Sequence, residues 1–189
     1  MSGVESPPIS RAKPGREQSE SLFLRVIRAI DSFSKWCGRV FSILTVPMMG
    51  GLVYEVGSRY FVKAPTVWAY DVTYMMYGGL FMLGAAYALH RKAHVRTDMI
   101  YRLLPVRTQA LIDGVLYLTL FFPGMAFFLI KGWDNFAYSW FLKEKAMGAW
   151  APPLYPFKAV IPLAALLLII QGVAELMKCI HAYRRGEWL

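Results

Sequence analysis

Residues 67–98 read VWAYDVTYMMYGGLFMLGAAYALHRKAHVRTD. Between Val67 and Leu89 the only charge is Asp71. A run of that length is what a helix needs to cross bilayer hydrocarbon, about 20 apolar residues. The composition then reverses, with His90, Arg91, Lys92, His94, Arg96 and Asp98 following at once. So abrupt a change marks a helix leaving the membrane on its basic side.

Working outward, three further stretches have the same character: Val40–Gly57, Leu111–Ile130 and Ala159–Met177. Their few acids, Glu55, Asp113 and Glu175, fall toward helix ends. The 189 residues are 57% hydrophobic and yet carry a formal charge of +9, a pairing that soluble domains rarely show. The expected fold is an all-α membrane protein with four transmembrane helices, at about 36–60, 66–90, 107–132 and 157–180.

The basic residues set the orientation. Seven lie in the N-terminal part up to Arg39, five from Arg91 to Arg107 around the middle loop, and three in the C-terminal part from Lys178, so one side carries fifteen. The other has six: Arg59, Lys63, Lys131, Lys143, Lys145 and Lys158. The richer side is expected to be cytoplasmic, with both termini on it. Residues 1–20, rich in Pro, Gly, Ser and charge, are expected to be a disordered tail. Residues 21–180 would form the membrane domain and 181–189 a second cytoplasmic tail. Leu22, Phe23, Val26, Ile27, Ile30 and Phe33 recur at helical spacing, predicting an amphipathic interfacial segment that leads into helix 1. Pro47 should bend that helix. A second amphipathic piece is expected from Asp98 to Leu104, capped by Thr97 and ended by Pro105. Gly84 and Ala88 offer a small-residue face for close packing. Cys37 and Cys179, at the inner helix ends, are expected to remain thiols.

Several chemistries are tested by these residues. His90, His94 and Asp98 recur every four positions and would share one helix face. Arg91, Lys92 and Arg96 among them would repel a metal ion, so no metal site is assigned. All three histidines, His90, His94 and His181, lie at helix ends, which disfavours a haem held within the bundle. The glycines at Gly50, Gly51 and Gly57 lack the Gly-Lys-Ser/Thr ending of a phosphate loop. No Ser-His or paired-carboxylate arrangement suggests an enzyme. Aromatics are not interleaved with the basic residues as nucleic-acid binding requires. Glu55, Arg59 and Asp71 should lie at similar depth near the outer surface. The expectation is that Arg59 bridges Asp71, with Glu55 alongside, as a clamp between helices 1 and 2. An outer loop is expected from Lys131 to Lys158, holding Trp133, Tyr138, Trp140 and Trp150 at the membrane boundary. No polar group is expected at mid-membrane, which points to a subunit that packs on something larger.

Three motifs in order then carry a resemblance. GAAYALHRKAHVRTDMIYRLLP (84–105) resembles the small membrane subunit of tripartite ATP-independent periplasmic transporters, the DctQ-like family. That family shows His-Val-Arg-aliphatic-Asp after helix 2; here it is His94, Val95, Arg96, Thr97 and Asp98, with Thr97 in the aliphatic place. SRYFVKAPTVWAYD (58–71) is similar to its Arg-Tyr ending helix 1 and its Trp followed by an acid, here Trp68 and Asp71. Residues 138–176 resemble its longer-loop branch through Trp150, Pro152, Pro153, Pro156, Lys158 and Gln171-Gly172. Ala146 replaces the Ser of that branch's Glu-x-Ser.

The resemblance implies a scaffold role beside a large membrane subunit in a bacterial inner membrane. A periplasmic binding protein would deliver an organic acid, and uptake would be driven by Na⁺ held in the large subunit. No cofactor is implied for this chain. Glu55, Arg59, Trp68, Asp71, His94, Arg96 and Asp98 would serve structure or assembly; Trp140, Glu144 and Trp150 are candidate contacts with the binding protein. The other readings are a membrane anchor of an electron-transfer complex, or a self-contained four-helix exporter using a helix-1 glutamate.

Overall fold

The computed structural model describes residues 14–91 and 104–187, with side chains from Leu22 onward. The helices are α1 (Pro14–Ser42), α2 (Thr45–Gly57), α3 (Ala69–His90), α4 (Val106–Leu116), α5 (Phe122–Leu142), α6 (Tyr155–Lys158) and α7 (Val160–Arg185). Short π turns, Ser58–Val62 and Tyr117–Phe121, extend α2 and join α4 to α5. Four continuous stretches are long and apolar enough to cross a membrane: Leu22–Val62, Ala69–His90, Val106–Leu142 and Tyr155–Arg185. The protein is thus all-helical with four spans.

Each break has a local cause. Pro47 has no N–H for the Ile43 carbonyl, so that carbonyl accepts instead from Val46 at 3.1 Å. Ile43 and Leu44 likewise bond three residues back, and the chain turns there before α2 begins. Pro123 is foreshadowed in the same way: Phe122 N–H reaches back five residues to Tyr117, forming the π turn just ahead of the proline.

Three boundaries differ from the sequence expectation. Residues 14–20 are the first turns of α1, not part of an unstructured tail. Pro14 suits a first helical position. The third span runs on to Leu142, ten residues past 132, because no proline interrupts it before Lys143 turns left-handed at φ 49°. Trp133, Tyr138 and Trp140 therefore stand on α5, and the connector shrinks to residues 143–154. The Gly84 face does not pack closely either: a Cβ there would meet nothing within 4 Å.

The hub is α7, against which α1, α3, α4 and α5 all pack. Its buried face is built from Ala164, Ala165, Gly172, Ala174 and Ala182, small enough to let backbones approach. One apolar cluster joins Cys37, Leu83, Ala86, Ala164 and Leu167 from α1, α3 and α7. By contrast, the most apolar stretches of the first and third spans bury nothing. Where α1 crosses α3, Gly38 lies against Tyr87; a Cβ would stand 2.5 Å from the ring's Cγ, which cannot swing aside.

Gly38→Ala should therefore lower stability. Overpacking costs about 1–3 kcal/mol, against roughly 1 kcal/mol gained in helix propensity. Gly50→Ala, in open space, should be neutral or stabilising. Thermal unfolding of the two purified variants in detergent checks the difference in sign.

Candidate functional site

A polar cluster lies inside the bundle where α1, α3 and α7 meet. Lys178 places its ammonium 3.0 Å from Asp31 Oδ1 and 2.8 Å from Glu175 Oε1. Gln171 donates from Nε2 to the same two oxygens, at 3.0 and 3.2 Å, and its Oε1 accepts the Ser34 hydroxyl at 2.6 Å. His90 Nδ1 completes the set at 3.0 Å from Asp31 Oδ1. Gln171 is fully buried, Ser34 and Glu175 are 3% exposed, and the Lys178 side chain is only 10% exposed.

The cluster lies toward the basic ends of the helices rather than at mid-membrane, and the sequence reading did not bring its members together. Three helices supply the members, so no single stretch of chain displays them. The missed signal was on α7, where Gln171, Glu175 and Lys178 recur at helical spacing on the buried alanine face. His90, read as a plain exit residue, is instead tied to α1.

Asp31, His90 and Glu175 each offer a ligand atom within 4.8 Å of the others, as a cation site requires. A positive charge already stands between the two carboxylates, however: the ammonium of Lys178. An added metal ion would have to displace it. A pair of buried carboxylates is costly without an opposite charge and hydrogen bonds; here Lys178 is shared between the two, Gln171 donates to both, and His90 lies against Asp31, so much of that cost is offset from within the chain. The arrangement can lock three helices together, since each of Asp31, Ser34, His90, Gln171, Glu175 and Lys178 holds a partner within the cluster.

At the opposite end, Glu55 gathers its own partners. Its Oε1 accepts from Arg59 Nε at 3.0 Å, and its Oε2 from Thr66 N–H at 2.9 Å and from the Thr66 hydroxyl. The carboxylate thereby ties the α2–α3 link to the end of α2. Trp68 stacks on Tyr54 at 5.9 Å across the same junction. The proposed Arg59–Asp71 bridge is not formed. Arg59 is satisfied four residues back along its own helix, whereas Asp71 faces Gly148 of the connector, where a Cβ would lie 3.1 Å from Oδ2.

Connector 143–154 is a closed hairpin. Ala146 N–H donates to Pro152 O and Leu154 N–H to Glu144 O, both at 2.9 Å. Glu144 Oε2 accepts from Ser139 at 2.7 Å and from Lys158 at 2.5 Å. Lys143 covers the Trp140 ring at 4.6 Å, and Trp140 meets Tyr155 edge-on at 4.9 Å. Thus Trp140 and Glu144 close the hairpin base, while Met147 is wholly exposed and Trp150 46% exposed nearer its tip. The Lys158 hydrogen bond, aided by Ser139, holds the Glu144 carboxyl below its ordinary range. His94, Arg96 and Asp98, with Thr97, lie outside the described residues.

Two outcomes follow. Lys178→Met leaves two buried carboxylates unmatched and should cost about 3–5 kcal/mol. Adding Asp31→Asn and Glu175→Gln should restore most of that loss, as read from unfolding in detergent. At the connector, a depressed carboxyl stabilises the fold above its unfolded value and loses that contribution as pH falls through the folded value. The protection factors of the Ala146 and Leu154 amides, corrected for intrinsic exchange, should therefore fall in acid, and Glu144→Gln should abolish that dependence.

Residues 48–182 match the family model described as "Tripartite ATP-independent periplasmic transporters, DctQ component". No curated protein matches the chain. The matched region takes in α2 to most of α7, and with it Glu55, Asp71, His90, Gln171, Glu175 and Lys178, while Asp31 and Ser34 lie upstream of it. It covers well over half of the sequence, and the four apolar spans are those of a multi-pass membrane protein. The chain belongs to the DctQ family and is the small component of a tripartite ATP-independent periplasmic transporter.

Proposed function

We propose that this subunit is a rigid scaffold for the large membrane subunit of a bacterial inner-membrane system that takes up an organic acid. In this reading Na⁺ drives transport through sites in the large subunit, and this chain carries no cofactor. A periplasmic binding protein delivers the carboxylate. The end bearing the start of α1, His90 and Arg185 faces the cytoplasm, by the excess of Lys and Arg there. The segment leading into the first span then lies along that surface; the amphipathic piece expected from Asp98 falls, up to residue 103, outside the described residues.

One observation carries the scaffold reading. The interior polar cluster is closed on itself by Lys178, while the apolar stretches of the first and third spans are left uncovered. Interior chemistry is spent on holding helices, and the outside is what the subunit presents. Glu55 supports the same conclusion, since Arg59 and Thr66 occupy both of its oxygens. Lipid covers part of the apolar exterior and the large subunit the rest. Arg96, Asp98 and His94 contribute to that assembly. The connector tip, with Met147 and Trp150 exposed on a closed base, suits contact with the binding protein better than Trp140 or Glu144 does.

Co-purification from native membranes should return the large subunit with this chain. Met147→Ser with Trp150→Ser should reduce uptake several-fold and leave that complex intact; unchanged uptake would remove the contact. Accumulation of a carboxylate in liposomes holding this chain alone would overturn the scaffold reading.

A further inference from the structure

A groove of about 640 Å³ opens between α1 and α3, separate from the interior cluster. On α1 it is lined by Lys35, Gly38, Arg39 and Ser42, and on α3 by Leu80, Gly84, Tyr87 and Arg91. The spacings, three or four apart on each helix, put each set on one face. Gly38 brings the helices together against Tyr87, and Gly84 keeps the space beside it clear. Among the described residues three cations stand around the groove and no carboxylate lines it. Lys35, Arg39 and Arg91 form no ion pair with a described residue; Arg91 lies 5.8 Å from the Tyr87 ring centroid, and Ser42 donates to Arg39 O.

The groove is graded along its length. Arg91 and Lys35 mark its polar end, while Gly84 and Leu80 lie deeper along α3. From Arg91 to Leu80 is about 16 Å of helix at 1.5 Å per residue. That is close to half the thickness of a hydrocarbon layer of about 30 Å, the reach of an acyl chain from the headgroup boundary toward the midplane. A small soluble anion would use the cationic end alone and leave the apolar floor unexplained. A partner protein's acidic segment would not need a floor running toward the membrane centre.

We infer that the groove is a binding site for one anionic phospholipid of the leaflet at the basic end. The phosphodiester sits among Lys35, Arg39 and Arg91, and an acyl chain runs along Tyr87, Gly84 and Leu80. Guanidinium groups recognise phosphate oxygens through paired N–H donors, and the adjacent lysine adds a point charge. Such a lipid would fill the gap between α1 and α3 next to the end where His90 and Lys178 meet Asp31.

The test uses the purified full chain in detergent micelles, titrated with phosphatidylglycerol and, separately, phosphatidylcholine, with bound lipid counted by native mass spectrometry. One phosphatidylglycerol should be retained in preference to phosphatidylcholine. Lys35→Gln/Arg39→Gln/Arg91→Gln should weaken retention by about tenfold or more. Gly84→Leu, which fills open space and leaves the charges intact, should weaken it too. Equal retention of the two lipids, or unchanged retention in Gly84→Leu, would overturn the site. Competition by millimolar inorganic phosphate would make it a free-anion site instead. Protection of Lys35 from an amine reagent by the large subunit alone, without lipid, would assign the groove to the partner.

Discussion

The ammonium of Lys178, held between Asp31 and Glu175, is the interaction on which the arrangement of helices depends. In water such a contact contributes little, since each ion is well solvated. Inside an apolar bundle the alternatives are worse, because a carboxylate without a partner has nothing else to turn to. The same lysine reaches one acid on its own helix and one on α1, 147 positions away in sequence. Gln171 Nε2 then donates to both oxygens and His90 Nδ1 lies against that of Asp31, so α3 is drawn into register with α1 and α7. Hydrophobic contact alone would not select this register in lipid, where tails are as apolar as leucine.

The central position of α7 follows from that constraint. A helix that contributes Gln171, Glu175 and Lys178 to one cluster must be approached from several directions. Its alanines and Gly172 allow this, since Phe121 can lie where a Cβ would otherwise stand. The first and third spans each use α7 but leave their most apolar stretches outward. A bundle so arranged is stiff near its axis and greasy at its flanks, a division that suits a subunit which holds a neighbour in place.

Much of this was legible in the chain. Four apolar runs read as four spans, because hydrocarbon thickness sets a length that few other constraints mimic. Pro47 announced a bend, and the ladder shifts at Ile43 and Leu44 as a missing N–H demands. The three family motifs pointed to the family that the match over residues 48–182 bears out. The interior cluster was not legible, because its members are dispersed over three helices and each looks ordinary in its own neighbourhood. Asp31 sits among arginines and serines, like any interfacial acid. Arg59 shows the reverse error: Asp71 seemed the natural partner by depth, but Glu55, one turn away on the same helix, needs no tertiary contact to be reached. The reach of α5 past Gly132 was hidden because tryptophan and tyrosine suit a membrane boundary whether they stand on a helix or a loop.

The third span is 37 residues long. At 1.5 Å per residue it measures about 55 Å, against roughly 30 Å of hydrocarbon. Tilt can absorb some of the excess, but Lys131 and Asp134, paired on the helix surface, belong in water. In the proposed orientation the rod from there to Leu142 would stand proud of the bilayer like a mast. Its closed hairpin would then be carried toward the aqueous side at a height set by the helix.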